Sequence, residues 1–358
     1  DCHYINADDY LAHDVLLCFQ TGKALSDPNR LRFGSDQFYL KTAEEMSRLF
    51  PEEYLTRTLE VVEKCNLELD LSAIHLPKFI TPDGSDPNTY LRRRLQEGIY
   101  QRFGGYLSQV YMDRLAREYN IIRKTGFSSY FLIVDDMIQH AKKQGIRVGP
   151  RGSVIACLTA YLLGITDIDP MKHDLLFERF LTEARKSPPD IDIDFSCDRR
   201  KEVINYLQAK YGYTCQITTF NKMSHSRLLI RDLGRVLELS KEKIDATAKS
   251  IPQNIEPDVT LSELQRQIPE LNSIDPRVIE IGTKLHGVIR HYGKHPGGVV
   301  ISDQPLTDLI PLCISRGVTL TQFDKDGVEA AGMLKMDILG SKYLLVVDKT
   351  LELIEKRH

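Results

Sequence analysis

Hydrophobic and polar positions follow two rhythms along this chain. Apolar residues recur every three to four positions in the segments 52–65, 88–142, 199–212, 224–292 and 342–358, as in amphipathic helices. Alternation at every second position, typical of strands, marks 190–195 and 332–340, and the runs "GGVVIS" and "DCHYIN" also indicate strands. The pattern predicts an α+β protein in which a helical segment interrupts a strand-containing core.

The most unusual alternating segment is "SPPDIDIDFS", residues 187–196. On a strand, Asp190, Asp192 and Asp194 share one face, and the intervening apolar residues share the other. Like charges repel and Asp is a weak strand former, so the acidic row favours bound cations. Carboxylates spaced in this way suit a two-metal site. The alternative is a solvated strand face or an acidic loop.

A second candidate site is the segment "VGPRGSVIACLTAYLLG", residues 148–164. Gly152 gives a flexible turn, and Ser153 is predicted to cap a buried helix that ends at Gly164. Free backbone N–H groups beside Arg151 would suit a phosphate. A capped turn before a core helix would give the same pattern.

Alternation in "GMLKMDILG" places Lys335 and Asp337 on one strand face. The carboxylate of Asp337 could bind a metal ion, and the ammonium of Lys335 could bind a phosphate beside it. A structural ion pair is the alternative.

Three further patterns carry charge. Arg227, Arg231 and Arg235 recur every four residues and predict one basic stripe on a helix, suited to a phosphate backbone or to solvent. The segment "RHYGKHPGGVVIS" predicts a basic turn before a strand, because Gly and Pro argue against a helix there. Asp1 and His3 are predicted to share a strand face, as an incomplete metal pair.

Composition narrows the class of protein. With 42% hydrophobic and 27% charged residues among 358, the chain is typical of globular proteins of two or three domains. A net charge of −3 predicts that nucleic acid would be held by local basic patches. The seven cysteines contain no CxxC pair, and the apolar runs are too short for a membrane span. An opening without Met, inside strand-like sequence, favours a fragment of a longer protein.

In this order, "GPRGSVIACLTAYLLGITDIDP", "FERFL", "PPDIDIDF", "HPGGVVIS" and "QFDKDGVEAAGMLKMDILG" resemble the bacterial family C DNA polymerases, the DNA polymerase III alpha subunits of the DnaE type. The ordered set is specific, although each motif alone is not. The resemblance implies a palm with a polymerase-beta-like nucleotidyltransferase fold, a mixed sheet with helices. A helical thumb interrupts that palm, and the end of a PHP (β/α barrel) domain precedes it.

The resemblance also implies domain boundaries and roles. We expect the end of the PHP domain at 1–61, palm at 62–223 and 293–342, thumb at 224–292 and the start of the fingers at 343–358. The implied catalytic and magnesium-binding carboxylates are Asp192, Asp194 and Asp337, with Asp190 in support. Arg151, Gly152, Ser153 and Lys335 would bind the nucleotide, and Arg227, Arg231 and Arg235 would grip DNA. Asp1 and His3 match the last Asp-x-His ligand motif of the PHP domain. The remaining ligands of its zinc or manganese site would lie upstream.

The function implied is template-directed DNA synthesis with two Mg²⁺ ions, as the catalytic subunit of a bacterial replicase. The expected partners are primer–template DNA, dNTPs, a sliding clamp and other replisome subunits, with no membrane. The expected location is the cytoplasm, at the nucleoid. An error-prone lesion-bypassing polymerase, an inactive DNA-binding scaffold and a phosphoesterase or nuclease centred on the PHP end stay open as alternatives.

Overall fold

A computed structural model of the chain describes residues 1–68, 71, 73–184 and 189–357. The helices are α1 Tyr10–Thr21, α2 Ala43–Leu49, α3 Glu52–Lys64, α4 Pro87–Phe103, α5 Gln109–Lys124, α6 Ser128–Lys143, α7 Leu158–Leu162, α8 Arg200–Tyr211, α9 Ser226–Val236, α10 Lys241–Ser250, α11 Leu261–Gln265, α12 Pro276–Leu285, α13 Lys325–Ala330 and α14 Lys342–Glu355. The strands are β1 Val148–Arg151, β2 Asp192–Ser196, β3 Thr214–Lys222, β4 Ile289–Ile301, β5 Leu312–Ser315, β6 Val318–Thr321 and β7 Lys335–Ser341. This mixture confirms the predicted α+β class.

The strands form one seven-stranded mixed sheet in the order β1-β2-β7-β4-β3-β6-β5. β2 pairs with β7 in parallel, and β1 and β4 flank that pair antiparallel. Further out, β3 pairs with β6 in parallel, and β5 pairs with β6 antiparallel. The two strands predicted from alternating patterns therefore lie side by side, although 140 or so residues separate them along the chain.

The chain divides into two compact units, Asp1–Leu69 with Phe220–Gly293, and Asp70–Thr219 with Lys294–His358. The first unit is helical around its core. Its buried cluster joins Val15 and Cys18 of α1 to Leu229 and Leu233 of α9 and to Val278 of α12. The apolar side chains of α9, the helix that carries the arginine stripe, are thus buried.

The second unit has its main core where α6 and α8 cover the sheet. The apolar rows of both alternating strands lie in that core: Ile191, Ile193, Phe195, Met336 and Ile338 are each at most 3% exposed. Burial of these rows turns the acidic rows toward the opposite face. This confirms the predicted orientation of the alternating segments.

Three local predictions are wrong. Residues 152–156 form a 3-10 helix, and α7 begins only after Cys157, where buried Glu118 accepts the amides of Leu158 and Thr159. The "HPGG" segment is not a turn, because β4 runs through it. Residues 1–6 form no strand in the described part of the chain, and only an isolated bridge joins Tyr4 to Tyr39.

Parts of the segments for which the sequence predicts elements or domains lie outside the residues that the structure describes. They are Leu69, Asp70 and Ser72, then Arg185, Lys186, Ser187 and Pro188, which include the start of "SPPDIDIDFS", and His358. The naming of the chain segments as PHP end, palm, thumb and fingers stays a prediction. Within the described ranges, no helix combines the length and apolar character needed to cross a bilayer.

Candidate active site

A row of residues crosses four neighbouring strands of the sheet in the second unit. Arg151 on β1 lies opposite Asp192 on β2, Asp192 lies opposite Asp337 on β7, and Asp337 lies opposite Gly298 on β4. Two of the three predicted catalytic acids are therefore direct neighbours in register. The parallel pairing of β2 and β7 creates this juxtaposition, which sequence separation alone could not reveal.

Lys335 and Asp337 form an ion pair on the same face, with Nζ 2.8 Å from Oδ2. Burial lowers the pKa of the Lys335 ammonium, but the bond to Asp337 outweighs it and the pKa is raised. Among the described residues, no donor reaches the other oxygen of Asp337, Oδ1, which is buried. A buried carboxylate oxygen without a partner is costly unless a cation completes it.

The carboxyl group of Asp192 is also poised for a cation. Its burial, and then the negative charge of Asp337, raise its pKa above the ordinary value for Asp. Gly152 lies directly over it, since a Cβ on that glycine would be 3.7 Å from Oδ2 of Asp192. Gly152 also has a φ of +79°, which few other residues adopt without strain.

The other two aspartates of the acidic row differ from Asp192. Asp194 lies further along β2, with Oδ1 3.8 Å from Nε of Arg151. Asp190 precedes β2 and is exposed. In the described part of the chain, no three His, Cys, Asp or Glu side chains converge closely enough to hold a metal ion. The Asp192 and Asp337 pair nevertheless offers hard oxygen ligands and an unpartnered buried oxygen, which suit Mg²⁺ or a similar cation.

A tyrosine behind the sheet fixes the start of the acidic strand. The hydroxyl of Tyr130, on α6, accepts a hydrogen bond from the backbone N–H of Ile191 at 3.2 Å. Its ring is 2% exposed, and burial raises the pKa of the phenol. This contact holds the residue that immediately precedes Asp192.

The "HPGG" segment borders the same row. Nδ1 of His295 accepts hydrogen bonds from the backbone N–H groups of Gly297 and Gly298, at 3.2 and 2.6 Å. Burial lowers the pKa of the His295 imidazole, which favours the neutral ring. Because Nδ1 accepts both hydrogen bonds, the ring proton lies on Nε2. A Cβ at Gly298 would be 2.8 Å from Nδ1 of His295, so glycine is needed for this imidazole to lie beside the Asp337 row.

The Gly152 and Ser153 turn lines a cavity of about 620 Å³. Its other walls include Leu175, Leu176 and the exposed Arg179. Arg179 was not among the predicted site residues. Its signal was available in the sequence, because it lies in "FERFL", between the glycine motif and the acidic strand.

The predicted basic stripe on α9 has partners within its own unit. Arg227 donates to the carbonyl of Ile251, Arg231 pairs with Asp245 at 2.8 Å, and Arg235 pairs with Asp232 at 2.9 Å. The side chain of Arg235 is 63% exposed, whereas that of Arg231 is 39% exposed. Arg235 is thus the most available of the three for an external ligand.

Asp1 and His3 also contact each other. Nε2 of His3 lies 3.1 Å from the Asp1 carboxylate, and its ring packs on His13 and Phe33. This pair belongs to the first unit and does not take part in the row described above.

Comparison with known proteins places these features in a family. The family described as "Bacterial DNA polymerase III alpha NTPase domain" matches residues 89–340. A DNA polymerase III subunit alpha from Bacillus subtilis is 41% identical over 368 residues, and one from Pseudomonas fluorescens is 40% identical over 378. Each alignment covers 99% of this chain and 32% of the relative.

A relative of the same name from Escherichia coli K12 is 40% identical over 379 residues, covering the whole of this chain and 32% of its own length. The chain thus spans about a third of the length of the curated relatives it matches. The matched region 89–340 contains every residue of the row across the sheet. The chain belongs to the bacterial DNA polymerase III alpha family.

Proposed function

We propose that this chain carries the catalytic centre of a DNA-directed DNA polymerase, the alpha subunit of a bacterial replicase. The observation that supports it best is the row Arg151, Asp192 and Asp337, with the Gly152 turn directly over Asp192. The carboxylates of Asp192 and Asp337 can bind metal cations. The guanidinium of Arg151 and the Gly152 turn, beside them, can bind phosphates. Nucleotidyl transfer needs both.

The carboxylates of Asp192, Asp194 and Asp337 would hold two Mg²⁺ ions. When bound, these ions supply Lewis acidity toward the primer 3′-hydroxyl and the departing pyrophosphate. The protein contributes a partly buried site in which electrostatic interactions are stronger than in water. Asp194 shares a strand face with Asp192, and its carboxylate lies 3.8 Å from Nε of Arg151.

The residues around the Gly152 turn would bind the triphosphate of the incoming dNTP. Arg151 and Lys335 supply positive charge, Ser153 supplies a hydroxyl, and the exposed Arg179 adds a cation from the cavity wall. The ion pair of Lys335 with Asp337 places a cation that would bind phosphate beside a carboxylate that would bind metal.

Other parts of the proposal concern partners. Primer–template DNA would be held in part by Arg227, Arg231 and Arg235, and the sliding clamp and other replisome subunits would bind elsewhere in the longer protein. We also propose a cytoplasmic, nucleoid-associated location and a zinc or manganese site that includes Asp1 and His3. The shared name of the relatives favours a replicative role over an error-prone one.

Primer extension by the full-length protein that contains this chain tests the proposal. We expect extension with Mg²⁺ and dNTPs, and a loss of at least about 10³-fold in kcat for Asp192→Ala and for Asp337→Ala. Asp190→Asn is the matched control, because Asp190 has the same alternation but is exposed and precedes β2. That variant should retain at least about a tenth of wild-type kcat.

Two outcomes would contradict the proposal. Near-normal turnover by Asp192→Ala or Asp337→Ala would remove the carboxylates from the chemistry. A folded wild type that binds primer–template without extending it would favour the DNA-binding scaffold.

A further inference from the structure

A buried ion pair on α5 contacts backbone groups of the segments that line the cavity beside Ser153. Nε of Arg114 is 2.7 Å from Oε1 of Glu118, one helical turn away. The side chain of Glu118 is 0% exposed and that of Arg114 is 10% exposed. A buried ion pair contributes little stability by itself, so its other hydrogen bonds indicate what it holds in place.

The carboxylate of Glu118 holds the start of α7. Its Oε1 accepts the backbone N–H of Leu158 at 3.0 Å, and its Oε2 accepts that of Thr159 at 2.8 Å. The thiol of Cys157 also donates to Oε2, at 3.4 Å. These first amides of a helix have no partner within the helix, so one buried carboxylate fixes where the chain leaves the 3-10 helix 152–156.

Arg114 links this turn to a second segment that lines the cavity. Its Nη2 donates to the carbonyl of Ala156 at 2.8 Å and to the carbonyl of Leu175 at 3.0 Å. Ala156 ends the 3-10 helix that contains Ser153, and Leu175 belongs to a second segment that lines the same cavity. A single guanidinium therefore ties together two segments that line the cavity of about 620 Å³.

We propose that Arg114 and Glu118 are positioning residues for nucleotide binding, which set the geometry of the cavity between Ser153 and Leu175. This inference rests on the proposed function, in which that cavity receives the triphosphate of a dNTP. Neither residue needs to contact the nucleotide. Loss of one hydrogen bond to the charged triphosphate, through displacement of either segment, would be enough to weaken binding about tenfold or more.

The experiment uses Arg114→Lys and Glu118→Gln in the full-length protein. Lysine keeps the positive charge, but its single ammonium cannot span Glu118 and both carbonyls as the planar guanidinium does. Glutamine keeps the shape of Glu118 but replaces one acceptor oxygen with an NH₂ group that faces the amides of α7. We expect the Kd of dATP, measured by calorimetry with Mg²⁺ and no primer, to rise about tenfold or more in both variants.

Steady-state kinetics provide a second readout. The KM for dNTP should rise about tenfold while kcat changes less than about threefold, because ground-state positioning is lost and the carboxylates stay in place. Arg94→Lys is the matched control. Arg94 forms another largely buried pair in the same unit, with Asp135, and it does not line the cavity. Its substitution should change the melting temperature without changing the Kd of dATP.

The outcomes separate this inference from the proposed function. Folded Arg114→Lys and Glu118→Gln proteins with the wild-type Kd, or a rise matched by Arg94→Lys, would overturn the positioning role. If Arg114→Lys does not fold, Glu118→Gln decides by the same criterion. Primer extension with an unchanged KM in Glu118→Gln would refute the positioning role alone. A wild type that binds dATP but extends no primer would refute the polymerase and leave the comparison of Kd values decisive.

Discussion

At Asp192, two effects oppose ionisation of the carboxyl group: burial, and the neighbouring charge of Asp337. Both act in the folded protein and largely disappear on unfolding. The charged carboxyl therefore destabilises the fold at neutral pH, and a bound cation would reverse that effect. A loss of stability of this kind is common where charged side chains are gathered for chemistry, which agrees with the proposed role of Asp192.

This gives a prediction for Asp192→Asn without divalent metal. Because the pKa of Asp192 is raised in the folded state, its destabilising effect is present above the folded-state pKa and vanishes below the ordinary Asp pKa. In EDTA at pH 7 the variant should therefore melt about 1–3 °C higher than the wild type, and the difference should shrink toward zero near pH 4. Differential scanning calorimetry across this pH range measures the effect.

Asp198→Asn is the control of opposite sign. Ser196 donates a hydrogen bond to the Asp198 carboxylate at 2.8 Å, and that bond lowers the pKa of Asp198. Its substitution should lower the melting temperature at pH 7. Added Mg²⁺ should raise the melting temperature of the wild type and of Asp198→Asn, but much less that of Asp192→Asn. An Asp192→Asn protein that melts lower than the wild type in EDTA would contradict the electrostatic argument.

At the scale of single elements, α9 combines structural and candidate DNA-binding arginines. Arg227 donates to the carbonyl of Ile251, which closes the end of α10, whereas Arg235 is mostly exposed. We expect Arg235→Ala to weaken primer–template binding and to reduce the salt dependence of log K by about one unit of slope. Fluorescence anisotropy at several salt concentrations tests this.

Two other arginines make this prediction specific. Arg227→Ala should mainly destabilise the protein, by about 1–3 kcal/mol, because it leaves a carbonyl without its donor. Arg277→Ala removes an exposed arginine of the same unit, on α12, that pairs with Asp275. If Arg277→Ala and Arg235→Ala reduce the salt slope equally, the effect reflects net charge, and α9 has no special role.

The pairing of β4 with β7 depends on a glycine. A Cβ at Gly297 would lie 2.5 Å from the backbone oxygen of Ile338, next to Asp337. Gly297→Ala should therefore destabilise the protein by about 1–3 kcal/mol and reduce primer extension, because the two strands must move apart beside Asp337, a proposed metal ligand. Gly34→Ala is the control, since a Cβ there would meet nothing within 4 Å. Equal melting temperatures for the two variants would show that β4 tolerates the displacement.

Local sequence patterns predicted the elements unevenly, for physical reasons. Alternation at every second position in 190–195 and 332–340 identified the buried and polar faces, because successive side chains of a strand point to opposite faces of the sheet. The strand through Pro296 was missed, since Pro and Gly ordinarily interrupt strands, and close approach to Ile338 is visible only in three dimensions. The bonds from Arg114 and Glu118 to residues about 40 to 60 positions away were likewise inaccessible to any local pattern.

At the scale of the whole molecule, the two compact units have separate hydrophobic cores. In the first unit, α1 comes from the start of the chain and packs with α9 and α12, which come from more than 200 residues later. In the second unit, residues from 70–219 and from 294–358 share a core around the sheet. Each unit is thus completed by chain segments that are distant in sequence. This organisation predicts that damage to one core is confined to its own unit.

Val15→Ala and Val134→Ala test this with the same chemical change in the two cores. Val15 is 0% exposed in the first core and Val134 is 1% exposed in the second. Each substitution should cost about 2 kcal/mol through lost burial and the cavity left behind. Hydrogen exchange measured by mass spectrometry should then show faster exchange in α9 and α12 for Val15→Ala, with β2 and β7 unchanged. For Val134→Ala the pattern should be reversed, and primer extension should fall more steeply with temperature, because the acidic strands lose protection. If Val15→Ala accelerates exchange equally in α9 and in β2, the two units unfold together, and the strands that carry Asp192 and Asp337 depend on the core of the first unit.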